Sequence, residues 1–266
     1  MPEHDLTGRV AIVTGGNQGI GRAIAHDYAD HGADVVIASR TLSTAEAVAG
    51  EVRSRGRKAL AISTDVASNL EVVRMVQQTM DTFGRVDILV NNAGGSHGRT
   101  YNRGALLEIT EEDWDNSMAV NLKSVWLCGR AVAPIMQRLG RGAILNIGSV
   151  SAQIQHGTRV GFAVYSAAKV GVNNLTYSMA AEWGPTIRVN GILPGFIETP
   201  RVTPTRSEEG NAVRTRAIAL GRFGASEELA KAATFLVSDE AGYISGTIIE
   251  VHGGYKSSLP PLEAVH

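Results

Sequence analysis

The sequence predicts an α/β fold built as a doubly wound parallel sheet. Short runs rich in Val, Ile and Leu alternate along the chain with longer segments of helical periodicity. The short runs are apolar throughout, which is typical of strands buried on both faces, and the longer segments have the length of right-handed crossover helices. The 266 residues contain neither an internal repeat nor a low-complexity linker, so residues 1–266 are predicted to form a single domain.

Each predicted element has its own signal in the sequence. The predicted strands are RVAIVT at 9–14, DVVIAS at 34–39, KALAIS at 58–63, VDILVN at 86–91, GAILNIGS at 142–149, IRVNGIL at 187–193 and GTIIEVHGG at 246–254. The amphipathic stretches 20–31, 42–55, 69–83, 111–139 and 163–183 are predicted helices, and the helix-like SEELAKAATFLVS precedes the last strand. The segment about 196–222 is polar and contains prolines, which predicts a mobile flap near a site.

The composition is that of a soluble globular protein. With 44% hydrophobic residues, 19% charged residues and a net charge of -1, the chain has no electrostatic reason to bind nucleic acid. Its one cysteine, Cys128, cannot form an intrachain disulfide, and no metal site is predicted because zinc sites normally use several clustered Cys or His ligands. We therefore expect a cytoplasmic protein. The N-terminus does not resemble a signal peptide, and no apolar stretch is long enough to span a membrane.

A glycine loop follows the first predicted strand. The loop is Gly15-Gly16-Asn17-Gln18-Gly19-Ile20-Gly21, with the pattern Thr-Gly-x-x-x-Gly-x-Gly, and it leads directly into a predicted helix. Glycines at these positions let the backbone approach a pyrophosphate, whose charge the free N–H groups and the dipole of the helix N-terminus stabilise. Glycines that merely close a strand-to-helix turn would give a similar pattern, so the loop alone leaves both interpretations open.

Ser39 and Arg40 end the second predicted strand. Dinucleotide-binding proteins specific for NAD usually place a carboxylate there to bind the adenosine ribose hydroxyls. Serine carries no charge to repel a phosphate, and Arg40 can make bidentate contacts with a 2′-phosphate. These residues predict NADP(H) as the cofactor, the alternative being a solvated arginine at a strand end.

Tyr165 and Lys169 are four residues apart at the start of a predicted helix, so their side chains share one face. A free tyrosine has a pKa of ~10, too high for a base at neutral pH. An ammonium about 5 Å away, at an effective dielectric of ~20, would favour the phenolate by roughly 3 kcal/mol, or about two pKa units. Tyr165 is thus a candidate general acid/base, although an exposed Tyr and Lys pair on a helix surface would give the same spacing.

Further polar residues are predicted near this pair. Ser149 ends the strand GAILNIGS, at the carboxyl edge where ligands bind in open α/β sheets, and its hydroxyl can donate to a substrate carbonyl oxygen. The sequence Asn91-Asn92-Ala93-Gly94 ends another strand at the same edge. Asn121 lies in the middle of a predicted helix, where an asparagine is an awkward residue and often simply faces solvent.

In this order the motifs resemble the short-chain dehydrogenase/reductase family, in particular its 3-oxoacyl reductase-like and alcohol dehydrogenase-like members. The resemblance covers nearly the whole chain and rests on TGGNQGIG at 14–21, Asp65-Val66, NNAG at 91–94, Asn121, Ser149, Tyr165 with Lys169, and Pro194-Gly195 followed by Thr199. It implies a Rossmann-type sheet of seven strands in the order 3-2-1-4-5-6-7, usually within a homotetramer. Residues 1–266 would then form one dinucleotide-binding and catalytic domain, with 196–222 as its substrate flap.

The resemblance also implies a role for each motif. Tyr165 would be the acid/base, Ser149 would orient the carbonyl, Lys169 would lower the tyrosine pKa and bind ribose, and Asn121 would hold a water in a proton relay. Asp65 and Val66 would flank the adenine, Asn92 would contact the ribose side, and Ile197 and Thr199 the nicotinamide carboxamide. The expected cofactor-binding residues are Gly15, Asn17, Gln18, Gly19, Ile20, Gly21, Ser39, Arg40, Asp65, Val66, Asn92, Ala93, Gly94, Tyr165, Lys169, Pro194, Gly195, Ile197 and Thr199.

Three features depart from the family pattern. Ser149 and Tyr165 are farther apart than in most related enzymes, so the loop Gln153–Phe162 is enlarged. Its Gln155, His156 and Arg159 would either read a polar or anionic substrate group or simply be solvated. The stretch Ser96–Leu106 is also long and is expected to line the other wall of the site. His252 stands before Gly253-Gly254 where relatives often have an acidic residue, which puts the oligomeric state in doubt.

The sequence thus predicts hydride transfer between NADP(H) and a carbonyl or secondary alcohol. Three alternatives stay open: an NAD(H)-preferring dehydrogenase of the same family, a non-catalytic NAD(P)-binding sensor, and an epimerase or dehydratase. The sensor would tend to lose Ser149, Tyr165 or Lys169, and the epimerase would generally carry a larger C-terminal domain. Small ketones, 3-oxoacyl thioesters, steroid-like ketones and sugars or polyols all fit the scaffold, because specificity lies in variable loops.

Overall fold

A computed structural model describes residues 3–98, 100–153, 161–200 and 208–255. Its centre is a parallel sheet, as the sequence predicts, with seven strands in the order β3-β2-β1-β4-β5-β6-β7, as the family resemblance implies. The strands are β1 (Val10–Thr14), β2 (Asp34–Ser39), β3 (Ala59–Ser63), β4 (Ile88–Asn91), β5 (Gly142–Ile147), β6 (Ile187–Pro194) and β7 (Ile248–Val251). β5 ends earlier than predicted, so Ser149 lies two residues beyond the strand. β7 is shorter than 246–254 because glycines with positive φ, Gly246 and Gly253, stand on both sides of it.

Eight α-helices occupy the described residues, and the predicted helices are all among them. They are α1 (Gly19–Asp30), α2 (Leu42–Ser54), α3 (Asn69–Phe83), α4 (Glu111–Met118), α5 (Ser124–Leu139), α6 (Ala163–Trp183), α7 (Glu208–Arg216) and α8 (Ser226–Val237). Side-chain caps begin two of them: Ser68 accepts the Glu71 N–H at α3, and Thr110 accepts the Asp113 N–H at α4. The predicted helix 111–139 is interrupted by a π-helical turn, Ala119–Lys123, which joins α4 to α5.

The predicted flap 196–222 is in part a helix. Phe196–Pro200 and residues 208–222 are described, and α7 occupies Glu208–Arg216. The sequence did not reveal α7 because its apolar residues do not recur at helical spacing. Residues 201–207 lie outside the described part of the chain.

Hydrophobic packing on both faces of the sheet holds the helices in place. Neighbouring strand residues point to opposite faces: Val13 and Ile37 belong to a buried cluster that includes α1 and α8, whereas Ile12 and Val36 belong to one that includes α3 and α5. These side chains are fully buried, which explains why the strands are apolar at every position rather than at every second one. Within the described residues, no helix combines the length and apolar character that a membrane span requires.

The parallel register gathers the strand ends at one edge of the sheet. Thr14 pairs with Ala38, and Asn91 pairs with Asn146, so the loops that follow these strands emerge side by side. A buried chain of hydrogen bonds fixes the centre of the edge: Asn91 Nδ2 donates to Asn146 Oδ1 (2.9 Å), and Asn146 Nδ2 donates to Thr176 Oγ1 (2.9 Å). The glycine loop, Asn92 and Ser149 all follow strands at this edge.

Candidate active site

A cavity of about 470 Å³ opens along the carboxyl edge of the sheet. Every residue predicted to bind cofactor lines it, and so do three of the four predicted catalytic residues, Ser149, Tyr165 and Lys169. The fourth, Asn121, lies behind the wall formed by Gly94 and Gly95. The sequence motifs are therefore brought together in one cavity. The glycine loop lies in one part, called the cofactor end below, and Ser149 and Tyr165 lie in another, called the substrate end.

The glycine loop is packed too closely for side chains. A Cβ on Gly21 would lie 2.3 Å from the Gly15 carbonyl oxygen and 2.5 Å from Asn92 Nδ2. Gly15 and Gly19 have φ angles of 63° and 52°, which L side chains rarely adopt. Asn92 holds the loop through its amide, which donates to the Thr14 (2.9 Å) and Gly15 (3.1 Å) carbonyl oxygens. The backbone itself thus forms this wall of the cavity.

The N-terminus of α1 is not neutralised by residues of its own first turn. No side chain caps the helix at Gln18, and no acidic residue stands in its first turn. The first N–H groups of a helix have no intrahelical acceptor and carry partial positive charge, so they suit an anion. Together with the crowded glycine backbone, this end of the cavity fits the pyrophosphate of a dinucleotide.

The region expected to hold the adenosine ribose lies around the end of β2. Ser39 is buried, and its hydroxyl donates to the Thr41 carbonyl oxygen (3.0 Å), so it shapes the turn. Arg40 lines the cavity with an exposed side chain, and no described residue forms a hydrogen bond or ion pair with its guanidinium. No carboxylate occupies the end of β2, and Asp65 accepts the Ala67 N–H (2.9 Å) instead. The geometry therefore leaves Arg40 available to a phosphate.

Tyr165 and Lys169 lie on the first turns of α6. Lys169 is 4% exposed, and its Nζ donates to the Ile147 carbonyl oxygen (2.8 Å) at the end of β5. Burial lowers the pKa of Lys169 to about 8. Its Nζ lies 5.8 Å from the centre of the Tyr165 ring. The pair is therefore not an exposed surface pair, and the ammonium is close enough to favour a phenolate.

Ser149 begins the short 3₁₀ turn Val150–Ala152 and is 9% exposed. Its Oγ accepts the Ser151 N–H (3.1 Å), which orients the side chain. A hydroxyl that accepts one bond keeps its own proton for another, so Ser149 can donate to an oxygen in the cavity.

Asn121 is fully buried within the π-helical turn. Its Oδ1 accepts the Gly95 N–H (2.8 Å), and its Nδ2 donates to the carbonyl oxygens of Gly95 (3.1 Å) and Ser117 (3.0 Å). The possibility that Asn121 faces solvent is therefore wrong. π-Helical turns are rare and occur often at functional sites. The side chain fixes the Gly94–Gly95 wall of the cavity.

Several residues at the substrate end could not be singled out from the sequence. Tyr101 is 3% exposed, and its hydroxyl donates to the Gly95 carbonyl oxygen (2.9 Å). It belongs to the stretch Ser96–Leu106, which does line the cavity, as expected. Other lining residues at this end come from distant parts of the chain: His97, Arg103, Val150, Phe162, Phe196, Arg214 and Tyr255. Of the enlarged loop, Gln155, His156 and Arg159 lie outside the described residues.

Comparison with known proteins agrees with this arrangement. The protein family described as enoyl-(acyl carrier protein) reductase matches residues 15–256. The chain belongs to the short-chain dehydrogenase/reductase family, a family of oxidoreductases. Two similar proteins are the 3-oxoacyl-(acyl carrier protein) reductases FabG of Staphylococcus aureus, 38% identical over 246 residues, and of Escherichia coli, 37% identical over 251 residues. The matches cover 92% and 94% of this chain and 96% and 98% of the relatives.

A solved structure is similar to this chain in both fold and sequence. A 7α-hydroxysteroid dehydrogenase complexed with NADH and 7-oxo glycochenodeoxycholic acid superposes with a TM-score of 0.89 at 32% identity, covering 97% of this chain and 98% of that one. The family membership leaves one local feature to explain, the histidine at position 252. In the described ranges, no group of three or more His, Cys, Asp or Glu side chains is arranged to hold a metal ion.

His252 has a role within the chain. Its Nδ1 accepts the N–H groups of Gly254 (3.1 Å) and Tyr255 (3.2 Å), and its Nε2 lies 2.6 Å from Glu250 Oε2. Glu250 also contacts the Gln153 amide, at the start of the enlarged loop. His252 therefore holds the turn that carries Tyr255 to the cavity.

Proposed function

We propose that the chain interconverts a carbonyl compound and a secondary alcohol by hydride transfer, with NADP(H) as its preferred cofactor. One observation carries the proposal: Ser149, Tyr165 and Lys169 line the same cavity as the glycine loop and the uncapped N-terminus of α1. A non-catalytic sensor would need only the glycine loop. Binding of a nucleotide alone would not require a tyrosine, a lysine and a serine together at the cavity wall.

Residues of the chain would orient the oxygen of the substrate and transfer its proton. A bound nicotinamide would supply or accept the hydride at its C4 atom. Ser149 would donate a hydrogen bond to the carbonyl oxygen and hold it beside Tyr165. The Tyr165 hydroxyl would give its proton to that oxygen as the alcohol forms, and would take the proton back in the oxidation direction.

Lys169 would set the acidity of Tyr165. Because burial lowers the pKa of Lys169 only to about 8, its side chain is still mostly an ammonium at neutral pH. A positive charge near the phenol stabilises the phenolate and so lowers the pKa of Tyr165 towards the working range of an acid/base. The hydrogen bond from Lys169 Nζ to Ile147 keeps the charge in place.

Asn121 would act through the cavity wall, and the water-holding role that the family resemblance implies stays a prediction. Its side chain is occupied by Gly95 and Ser117, so that side chain would position the wall rather than touch substrate. We also propose, from the same resemblance, that residues 1–266 act as one catalytic domain within a cytoplasmic homotetramer.

Arg40 supports NADP(H), and one comparison favours the alternative. The exposed guanidinium of Arg40, which pairs with no described residue, suits a 2′-phosphate, and the sequence places no carboxylate at the end of β2 to repel it. The similar hydroxysteroid dehydrogenase, however, was solved with NADH. An NAD(H)-preferring dehydrogenase is therefore the second candidate.

Steady-state kinetics with both cofactors tests the proposal. The panel comprises small ketones, 3-oxoacyl thioesters, steroid ketones and sugars, each assayed with NADPH and with NADH, and the matching alcohols with the oxidised cofactors. We expect turnover of at least one carbonyl compound, and a kcat/KM for NADPH above that for NADH. Arg40→Gln should reduce the NADPH preference about tenfold or more, since charge-assisted contacts to phosphate are lost. Arg74→Gln, at an exposed arginine of α3, is the control.

A higher kcat/KM with NADH would overturn the cofactor assignment but leave the reaction class standing. Cofactor binding with no turnover in either direction across the panel would favour the sensor.

A further inference from the structure

The two ring nitrogens of His252 have different hydrogen-bonding roles. Nδ1 accepts the N–H groups of Gly254 (3.1 Å) and Tyr255 (3.2 Å), and Nε2 lies 2.6 Å from Glu250 Oε2. A ring nitrogen that accepts N–H groups carries no proton of its own, so the ring proton is on Nε2 and is donated to Glu250. His252 is therefore an acceptor towards the turn that follows it and a donor towards β7.

The turn that follows His252 contains two consecutive glycines. Gly253 and Gly254 have φ angles of 64° and 75°, which other residues rarely adopt. Glycine loses more conformational freedom on folding than any other residue, so a turn made of glycines needs contacts that hold it. Among the described residues, the Gly254 N–H has His252 Nδ1 as its only acceptor, whereas the Tyr255 N–H also donates to the His252 carbonyl oxygen (3.2 Å).

This turn carries Tyr255 to the substrate end of the cavity. Tyr255 is 8% exposed, lines the cavity and packs in an apolar cluster with Val150 and Ile218. Its ring meets the Phe196 ring edge to face, with the ring centres 5.0 Å apart. Because Val150 directly follows Ser149, the position of Tyr255 limits the space beside the proposed hydrogen-bond donor to the substrate.

The other side of the His252 ring is linked to the segment that contains Ser149. Glu250 Oε2 accepts from His252, and Glu250 Oε1 accepts from the Gln153 amide. Gln153 ends the short 3₁₀ turn that Ser149 begins. The contacts from Gln153 through Glu250 to His252 therefore connect two walls of the substrate end, one with Ser149 and one with Tyr255.

We propose that His252 is a positioning residue for substrate recognition, which fixes the Tyr255 wall through Nδ1 and the Ser149 wall through Nε2 and Glu250. The inference rests on the proposed function for the reaction, but the positioning of the two walls does not need it. His252 is not among the described residues that line the cavity, so it acts through its neighbours. A substrate that meets walls already in place avoids the cost of ordering them. Loss of His252 should therefore raise KM more than it lowers kcat.

Two substitutions separate the two roles of the ring. The side-chain oxygen of asparagine can take the place of Nδ1, so His252→Asn should still accept the Gly254 N–H but should not reach Glu250. The side-chain nitrogen of glutamine can take the place of Nε2, so His252→Gln should still donate to Glu250 but should not hold the turn. His252→Ala loses both contacts.

Hydrogen exchange followed by mass spectrometry measures both walls without any turnover. We expect the peptide with Gly254 and Tyr255 to exchange about tenfold faster in His252→Gln and His252→Ala, and near the wild-type rate in His252→Asn. The peptide with Gln153 should instead exchange faster in His252→Asn and His252→Ala, and near the wild-type rate in His252→Gln. The glycine loop, residues 15–21, should exchange equally in all of them.

Steady-state kinetics measures the consequence for recognition. The substrate is the ketone of the panel that the wild-type protein reduces best, with saturating cofactor. We expect His252→Ala to raise KM about tenfold and to change kcat less than about threefold, since it loses contacts that hold the walls and none that touch the reacting atoms. His252→Asn and His252→Gln should each recover part of the loss. His31→Asn, at the C-terminal end of α1, is the matched control and should behave as wild type.

Three results would overturn the inference. The first is equal exchange of both peptides in His252→Asn and His252→Gln, which would refute the division of roles within the ring. The second is an unchanged KM in every His252 variant. The third is a loss of kcat and cofactor affinity together with faster exchange of the glycine loop, which would show a structural role alone. The predicted exchange pattern without reduction of any ketone would refute the proposed function while the positioning of the two walls stands.

Discussion

The two ends of the cavity are built from different material. The cofactor end is mostly backbone, in which a Cβ on Gly21 would lie 2.3 Å from a neighbouring carbonyl oxygen. The substrate end is mostly side chains, with Phe162 and Phe196 beneath two arginines and Tyr101 against the Gly95 wall. A Cβ on Gly98, at that end, would be crowded by a side chain instead, since it would lie 2.6 Å from Tyr101 Cε1. The cofactor end therefore fits a ligand of one fixed shape. The shape of the substrate end can change when its side chains are substituted.

The difference also explains why family membership does not identify the substrate. Backbone geometry at the glycine loop depends on a few glycines in a fixed local pattern, and the same pattern serves many enzymes. The substrate end depends on single side chains from the β4–α4 loop, α6, α7 and the C-terminal turn. Substituting those side chains alters recognition with little effect on the sheet.

Loss of the Tyr165 hydroxyl, where the two ends meet, should have the largest effect. Tyr165→Phe should lower kcat about 10²- to 10⁴-fold, the usual contribution of a general acid/base, while the protein still binds the cofactor. Tyr177→Phe, at a half-exposed tyrosine of the same helix, is the matched control. Steady-state kinetics and cofactor fluorescence titration would measure both. Near-wild-type turnover of Tyr165→Phe would contradict the proposed role of Tyr165 as general acid/base.

Charge burial at Lys169 should give a stability effect of up to about 3 kcal/mol. The pKa of Lys169 is about 8 in the folded chain and near 10.5 when exposed, so between these values the unfolded chain binds more protons. The stability of the wild-type protein should therefore rise with pH across this window. Lys169→Met should be the more stable protein at pH 7, and its advantage should shrink as the pH rises from 8 to 10.5.

Urea unfolding at a series of pH values measures this difference, with Lys231→Met, at an exposed lysine of α8, as the control. A stability difference between wild type and Lys169→Met that stays constant with pH would contradict the account of the buried charge.

Because the glycine loop is crowded, adding one methyl group to it should destabilise the protein. Gly21→Ala should reduce the unfolding free energy by about 1–3 kcal/mol, the usual effect of overpacking, and weaken NADPH binding. Gly50→Ala, in the middle of α2, is the matched control, because the nearest atom to its Cβ is 3.9 Å away. That control should gain up to about 1 kcal/mol. Equal stability of the two variants would contradict this account, because it would show that the backbone of the glycine loop can shift to accommodate the methyl group.

The substrate end should tolerate a comparable small change. Tyr101→Phe removes the hydroxyl that donates to the Gly95 carbonyl oxygen, but that oxygen still accepts from Asn121 Nδ2 (3.1 Å). We therefore expect a loss of about 1 kcal/mol in unfolding free energy or less, with Tyr243→Phe at a fully exposed tyrosine as the control. A loss as large as that of Gly21→Ala would mean that the two ends do not differ in rigidity.

Local patterns in the sequence were enough to predict the strands, most of the helices and the glycine loop. The apolar strands, the glycine loop and the i, i+4 pair Tyr165 and Lys169 are signals within short segments, and the structure has them where they were predicted. The order of the strands and the roles of the motifs came from the family resemblance. Ser149 lies beyond its strand because the chain turns into a short 3₁₀ segment after Ile147.

The substrate end depends on long-range packing that no local pattern carries. The burial of Asn121 requires a π-helical turn facing Gly95, and its sequence is an ordinary helical one. Arg103 and Arg214 reach the same cavity although they are more than a hundred residues apart in sequence, and Tyr255 reaches it from the C-terminal turn. Each looks like a surface residue when its neighbours in sequence are considered alone.

Transfer of an isotopic label tests the central claim most directly. NADPH carrying deuterium in both hydrogen positions at C4 of the nicotinamide would be incubated with a ketone of the panel, and the alcohol analysed by mass spectrometry and NMR. The account predicts deuterium on the carbinol carbon, formed by the wild-type protein and Tyr177→Phe but not at a comparable rate by Tyr165→Phe. An alcohol without the label, or no alcohol from any ketone tested, would contradict hydride transfer at this site.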